Sequence, residues 1–173
     1  MQALAFWKAV TMDQTDLLER LIGLLKSHAV RYCAIGGQAV NAYVEPVVSL
    51  DLDLVVAVDQ LEDVVAWLGQ EFSIKRFAHS INISEPGSAL RVQIQTDPRY
   101  AAFLEHASEQ EVLGLVLPVA SLPDVLRGKV WAAQDPERRA SKRQKDLADI
   151  ARLLERAPAL RAGVPQEILD RLL

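Results

Sequence analysis

Thirteen residues separate two glycines at the end of an apolar run, Ile35-Gly36-Gly37, from the acid pair of Asp51-Leu52-Asp53-Leu54. In an extended strand, residues two apart point to the same face, about 7 Å apart along the chain. Asp51 and Asp53 would then project together, with Leu52 and Leu54 facing a core. Two carboxylates on one face invite a hard cation. Magnesium takes one or two protein carboxylates and completes its octahedron with water and phosphate oxygens, so Asp51 and Asp53 are candidate metal ligands and catalytic acids for a bound nucleoside triphosphate. Gly36 and Gly37, lacking side chains, would let the backbone approach that triphosphate, and the amides of a following helix favour anionic oxygens. Gln38 could add one more hydrogen bond. Either half alone has a plainer reading, a tight turn or two solvated acids. The order and spacing of the two together carry the signal.

The elements that must position these residues follow from hydrophobic period and breakers. Asp13–Ser27 has helical spacing in Leu17, Leu18, Leu21, Ile22, Leu24 and Leu25, with Thr11 and Gln14 as a capping box. Arg31–Ile35 reads as a short strand entering the glycine turn, and Gln38–Val44 as a short helix stopped by Pro46. Leu50–Val58 is a strand and Gln60–Phe72 a helix. Further strands are expected at Ser73–Ala78, Ser80–Ser84 and Leu90–Gln95, the last two separated by the turn signal Glu85-Pro86-Gly87-Ser88. Arg99–Ala107 reads as helical, and Val112–Val119, broken by Gly114, as a short hairpin or paired strand. Ser121–Ala133, Ala140–Ala157 and Gln166–Leu172 are helix candidates. These elements predict an α+β fold: a small mixed β-sheet flanked by helices over residues 1–119, with a C-terminal helical segment over 120–173.

The chain has 173 residues, half of them apolar, which is enough for a proper core. A formal net charge of -4 argues against retention on nucleic acid by overall charge. Locally the balance reverses: residues 138–145 hold Arg138, Arg139, Lys142, Arg143 and Lys145 and no acid. That cluster could hold triphosphate or an RNA backbone, or else pair with Asp135, Glu137 and Asp149 as a solvated helix start. The single cysteine, Cys33, excludes an internal disulfide framework and reads as a small core residue. Residues 1–10 are apolar without a basic leader, and no segment has the length of a membrane span, so a cytoplasmic protein with no membrane partner is expected. His28, His79 and His106 lack metal-ligand spacing, and no nucleophile elbow supports a hydrolase. The dinucleotide fingerprint is also absent, since Gly36-Gly37 is followed by Gln-Ala-Val-Asn. Trp7, Trp67 and Trp131 read as packing residues.

The run Ala34-Ile35-Gly36-Gly37-Gln38-Ala39-Val40, followed by Leu50-Asp51-Leu52-Asp53-Leu54-Val55, resembles the glycine and Asp-x-Asp core of the DNA polymerase beta-like nucleotidyltransferase superfamily. Within that superfamily the likeness is to the compact bacterial proteins of the AbiEii toxin type. Leu122 to Trp131 with Lys129, and Lys142 to Ile150 with Lys145-Asp146, look like the helical pair that follows their catalytic domain. The resemblance implies Mg²⁺-dependent transfer of a nucleoside monophosphate from a nucleoside triphosphate to an acceptor hydroxyl, with Lys129 and Lys145 as phosphate contacts. RNA, protein and small molecules are the acceptors it implies, and a cognate partner protein of a toxin-antitoxin pair would fit the same likeness. It also implies a third carboxylate on a later strand. That strand reads Arg91-Val92-Gln93-Ile94-Gln95, so the candidate third-acid positions Gln93 and Gln95 both hold amides. A glutamine carbonyl can ligate weakly but cannot take a proton or balance a cation's charge. Two further readings follow: a nucleotide-binding protein impaired in turnover, and a protein-interaction module that keeps the motif as scaffold.

Overall fold

The computed structural model describes residues 2–172. Its sheet has seven strands in the order β3-β4-β5-β2-β1-β7-β6. The chain enters through α1 (Gln2–Val10) and α2 (Leu17–Ser27), then β1 (Tyr32–Ile35), α3 (Gly36–Tyr43) and β2 (Asp51–Val56). Next come α4 (Leu61–Glu71) and the strands β3 (Ser73–Arg76), β4 (Ser80–Ser84) and β5 (Arg91–Gln95). A 3-10 helix over Pro98–His106 leads to the hairpin β6 (Ser108–Val112) and β7 (Leu115–Val119). Three helices follow, α5 (Leu122–Gln134), α6 (Ala140–Arg156) and α7 (Gln166–Leu169). The sheet is mixed: β2 runs antiparallel to β1 and parallel to β5, and β1 runs parallel to β7. The expected α+β architecture is therefore the one adopted.

Leu52 and Leu54 of β2 are buried at 0% and 1% exposure, while Asp51 and Asp53 between them are only half-buried. Strand alternation thus separates core from cleft. One hydrophobic core runs from Leu17 and Leu21 of α2 through β1, β2 and β5 to Val125 of α5 and Ile150 of α6. The Trp131 ring sits 5.2 Å from Tyr100 and 5.6 Å from Phe103, fixing α5 against the 98–106 segment. Ile168 of α7 is buried, and Leu169 and Leu172 pack on the same core, so the terminal apolar residues have the surface they require. No helix among the described residues is long and apolar enough to cross a membrane.

Several local expectations change. The capping box at Thr11 does not form: the Thr11 hydroxyl donates to the Trp7 carbonyl at the end of α1. Helix α2 begins at Leu17 because Asp16 takes a left-handed backbone (φ 55°), and the buried Asp13 carboxylate accepts the amide of Leu17 at 3.1 Å. The glycines do not precede α3 but form its first turn. The hairpin expected near Val112–Val119 begins earlier, at Ser108, and turns at Leu113-Gly114, both with positive φ. Arg99–Ala107 is wound as a 3-10 helix over Pro98–His106, with the Asp97 side chain accepting from the Arg99 amide at its start.

A buried ion network fastens α6 to α5. Lys129 Nζ lies 3.1 Å from Asp146 Oδ1 and 2.8 Å from Asp149 Oδ2. Arg138 holds the other Asp146 oxygen at 2.8 Å, and Arg152 binds Asp149 at 2.8 Å. Burial works against the Lys129 charge, but Asp149 and Asp146 more than offset it and hold the ammonium above the ordinary lysine value. Lys129 is therefore not a surface lysine, and Arg138 pairs with Asp146 rather than with the acids nearest in sequence. The exchange Lys129→Met should cost about 3–5 kcal/mol in urea denaturation, because it leaves two buried carboxylates short of a cation. A cost below about 1 kcal/mol would mean that the network contributes little.

Candidate functional site

The sheet register brings the candidate acids to one place. Ile35, the last residue before the glycines, pairs with Asp53 across β1 and β2, and Gln93 pairs with Asp53 across β2 and β5. Gly36 has φ +68°, a conformation that disfavours any side chain, and a Cβ there would run into the Asp53 carboxylate. The glycine is thus required twice, by its backbone and by the acid packed against it. Gly37 is roomier: a Cβ on it would lie 3.9 Å from Lys145 Nζ, so Lys145 stands beside the turn. Gln38 does not reach the cleft. It is 2% exposed and donates to the Ser49 carbonyl at 3.0 Å, holding the loop that enters β2.

Asp51 and Asp53 are neighbours with different electrostatics. Asp51 accepts from Arg91 Nε at 2.7 Å and lies 3.3 Å from Lys142 Nζ. Burial pushes its carboxyl up, but Lys142 and Arg91 outweigh that and hold it below the ordinary range. Asp53 has no hydrogen bond or ion pair among the described residues. Burial pushes its carboxyl up, Lys129 opposes that and Asp51 reinforces it, so Asp53 stays above the ordinary value. A half-buried carboxylate without a donor, beside a second acid, is a place where a cation relieves an existing cost.

Asp53 lies between two hollows. One, of about 100 Å³, is roofed by Tyr100 and Phe103 and lined by Lys129, Arg138 and Asp146. Both Gln93 and Gln95 also face it. The other is an open cleft of about 650 Å³ over β2, β5, β4 and β3, which holds Asp51, Arg91, Gln93 and Lys142. Tyr100 is buried and its hydroxyl is pushed up to about 12, so it remains a neutral donor at physiological pH. Lys129 faces the smaller hollow, but its ammonium is already taken by Asp146 and Asp149.

The donor set fits one hard divalent cation on Asp51 and Asp53. A second, acceptor-side cation would need a third acid where Gln93 stands, and among the described residues no group of three or more His, Cys, Asp or Glu side chains converges. Sequence reasoning passed over Arg91, although strand alternation puts it on the face of Gln93. It left Lys142 open between a phosphate-holding cluster and a solvated helix start. The contact of Lys142 with Asp51 spans 91 residues and has no local signal. Two of the three histidines find structural partners: His106 meets Asp124 at 3.0 Å and His28 stacks on Trp67.

Comparison with protein-family models and with curated proteins gave no match. Solved structures do match over most of the chain. With ANT(2'')-Ia in complex with adenylyl-2''-tobramycin the TM-score is 0.60 at 13% identity, covering 92% of this chain and 99% of that one. The fold is that of the nucleotidyltransferases. With the lincosamide antibiotic adenylyltransferase LnuA, bound to lincomycin, the TM-score is 0.55 at 13% identity, over 81% of this chain and 98% of that one. An antigenic nucleotidyltransferase-like protein from Paracoccidioides brasiliensis gives 0.54 at 20% identity, over 86% and 75%. At such identities the nucleotidyltransferase fold is what the chains share, and the chemistry has to be argued from this chain's own residues.

Two outcomes test this geometry. Gly36→Ala should cost about 2 kcal/mol or more, a fall in Tm of roughly 4–8 °C, since it adds left-handed strain and displaces Asp53. An unchanged melting point would show that Asp53 is not held by the turn. Asp53→Asn should instead raise the Tm of the metal-free protein at pH 7, by about 2–4 °C for each kcal/mol gained. The sign follows from linkage. With its folded value raised, Asp53 makes the native state bind more protons than the unfolded one between the ordinary and the raised value, so stability falls as pH rises through that window. The advantage of the variant should shrink on acidification and reverse when a divalent cation binds the wild type.

Proposed function

We propose that this chain is a nucleotidyltransferase that moves a nucleoside monophosphate from a nucleoside triphosphate to an acceptor hydroxyl. The observation that carries this reading is the Asp51–Asp53 pair on β2, packed against the Gly36 turn in a nucleotidyltransferase fold. Residues 1–119 would form the catalytic core and residues 120–173 the helical segment that roofs it. Asp51 and Asp53 would hold Mg²⁺, and Gly36, Gly37 and Lys145 would meet the phosphates. When bound, the divalent cation supplies charge neutralisation of the triphosphate and polarisation of the α-phosphoryl group.

In the transfer, the acceptor oxygen bonds to the α-phosphorus as the bond to the bridging oxygen breaks, and pyrophosphate leaves with that electron pair. Lys142 and Arg91, freed from Asp51, are within reach to stabilise the charge that develops on the phosphates. Gln93 orients through its amide and cannot accept the acceptor's proton, which passes to water in the cleft. General-base assistance is typically worth about 10² to 10⁴ in rate, so a slow enzyme is expected. The same Gln93 favours a second reading, triphosphate binding without turnover. Placement among AbiEii-type members of toxin-antitoxin pairs, with a cognate partner and an RNA or protein acceptor, rests on the motif resemblance.

Thermal melting with each nucleoside triphosphate, with and without Mg²⁺, tests the reading, since a ligand that binds only the native state raises Tm. At about 100 times Kd the gain is about 2.7 kcal/mol, or roughly 5–10 °C here. The rise should need Mg²⁺ and vanish in Asp51→Asn/Asp53→Asn. No rise with any triphosphate would sink the proposal. Gln93→Asp should then increase transfer of α-labelled nucleotide about 10²-fold or more.

A further inference from the structure

Beside the acid pair the sheet presents a polar face to the open cleft, and its register orders that face into a row. Asp53 of β2 pairs with Gln93 of β5, Gln93 with Asn82 of β4, and Asn82 with Lys75 of β3. At about 4.8 Å per strand the row extends roughly 14 Å from the carboxylate to the ammonium. Next to it, Asp51 pairs with Arg91, and Ser84 with Ser73. The side-chain amides of Gln93 and Asn82 make no hydrogen bond to protein among the described residues. Lys75 has no acid partner among them, and its Nζ rests 5.3 Å over the Phe77 ring. Unpaired amides in front of a reacting centre, followed by a free cation, form a ladder for a molecule with hydroxyls at one end and an anion at the other.

We infer that this face is the acceptor subsite, and that the acceptor is a small polyhydroxylated molecule bearing a phosphate, such as a sugar phosphate. The inference rests on the reading of Asp51 and Asp53 as the transfer centre. Gln93 and Asn82 bind the hydroxyls, and Lys75 binds the phosphate about 10 Å from Gln93, two strand spacings away. Charge sets the class: the cleft carries Lys75, Arg91 and Lys142 against Asp51 and Asp53, and the two acids are committed to a cation. A polyamine acceptor would therefore meet net repulsion, whereas an anionic one is drawn in. The size agrees, since about 650 Å³ falls within the range of small-molecule sites.

Calorimetric titration of the full chain in saturating Mg²⁺ with ribose 5-phosphate, ribose, inorganic phosphate and kanamycin, without nucleotide, separates the claims. Ribose 5-phosphate should bind at least tenfold more tightly than ribose or phosphate, and kanamycin least. Lys75→Gln and Asn82→Leu, both at exposed positions that should leave folding intact, should each weaken ribose 5-phosphate at least tenfold. No binding of ribose 5-phosphate, equal binding of phosphate alone, preference for kanamycin, or insensitivity to both exchanges would overturn the subsite. Asp53→Asn should retain ribose 5-phosphate binding while losing the Mg²⁺-dependent response to nucleotide. A wild type that binds the sugar phosphate yet ignores Mg²⁺ and every triphosphate would refute the transfer reading and leave the subsite standing.

Discussion

The rest of this site depends on a carboxylate held where its charge is not yet balanced. Asp53 lies on a central strand, pressed against a glycine whose missing side chain is the space the acid occupies. With no donor of its own, it takes its relief from the surrounding field, in which Lys129 is foremost and Lys142 and Arg138 follow. Those cations come from α5, the loop after it and α6. The C-terminal helices therefore complete the electrostatics of a site whose acids come from the N-terminal half of the chain.

That field has its own requirements. A buried lysine keeps its charge only if acids accompany it, and α6 supplies Asp146 and Asp149 one turn apart on its buried face. These in turn bind Arg138 and Arg152, and Arg152 also reaches the Glu45 carbonyl in the loop before β2. The network so runs from α5 through α6 to the segment that delivers Asp51. Basic residues that look like a solvated run in sequence are divided by the fold, with Arg138 turned inward and Lys142 turned to the cleft.

The sheet supplies the second constraint. Because β2 and β5 are parallel and in register, whatever residue occupies Gln93 stands beside Asp53. An amide there keeps the shape of the site and removes a proton acceptor and a negative charge. With Arg91 beside Asp51 as well, β5 brings to the acids a cation and an amide where the superfamily resemblance leads one to expect an acid. The cleft is more positive for it, which favours anionic over cationic ligands there.

The sequence by itself determined what short-range rules govern. Period-two alternation put Asp51 and Asp53 on one face and Leu52 and Leu54 on the other, and Gly36-Gly37 after an apolar strand marked a tight turn. The α+β class followed from the order of such segments, and the amides at Gln93 and Gln95 could be read directly. Boundaries drifted where the backbone took unusual conformations, as at Asp16 and Leu113, because a left-handed residue other than glycine leaves little local trace. Only the tertiary structure decided which charges meet: that Lys129 is sealed between Asp146 and Asp149, that Lys142 crosses to Asp51, that Gln38 turns to Ser49, and that Asn82 and Lys75 continue the row begun by Asp53. The physical reason is range. Backbone preference acts over a few residues, whereas desolvation and charge depend on neighbours that strand order and helix packing bring together from distant parts of the chain.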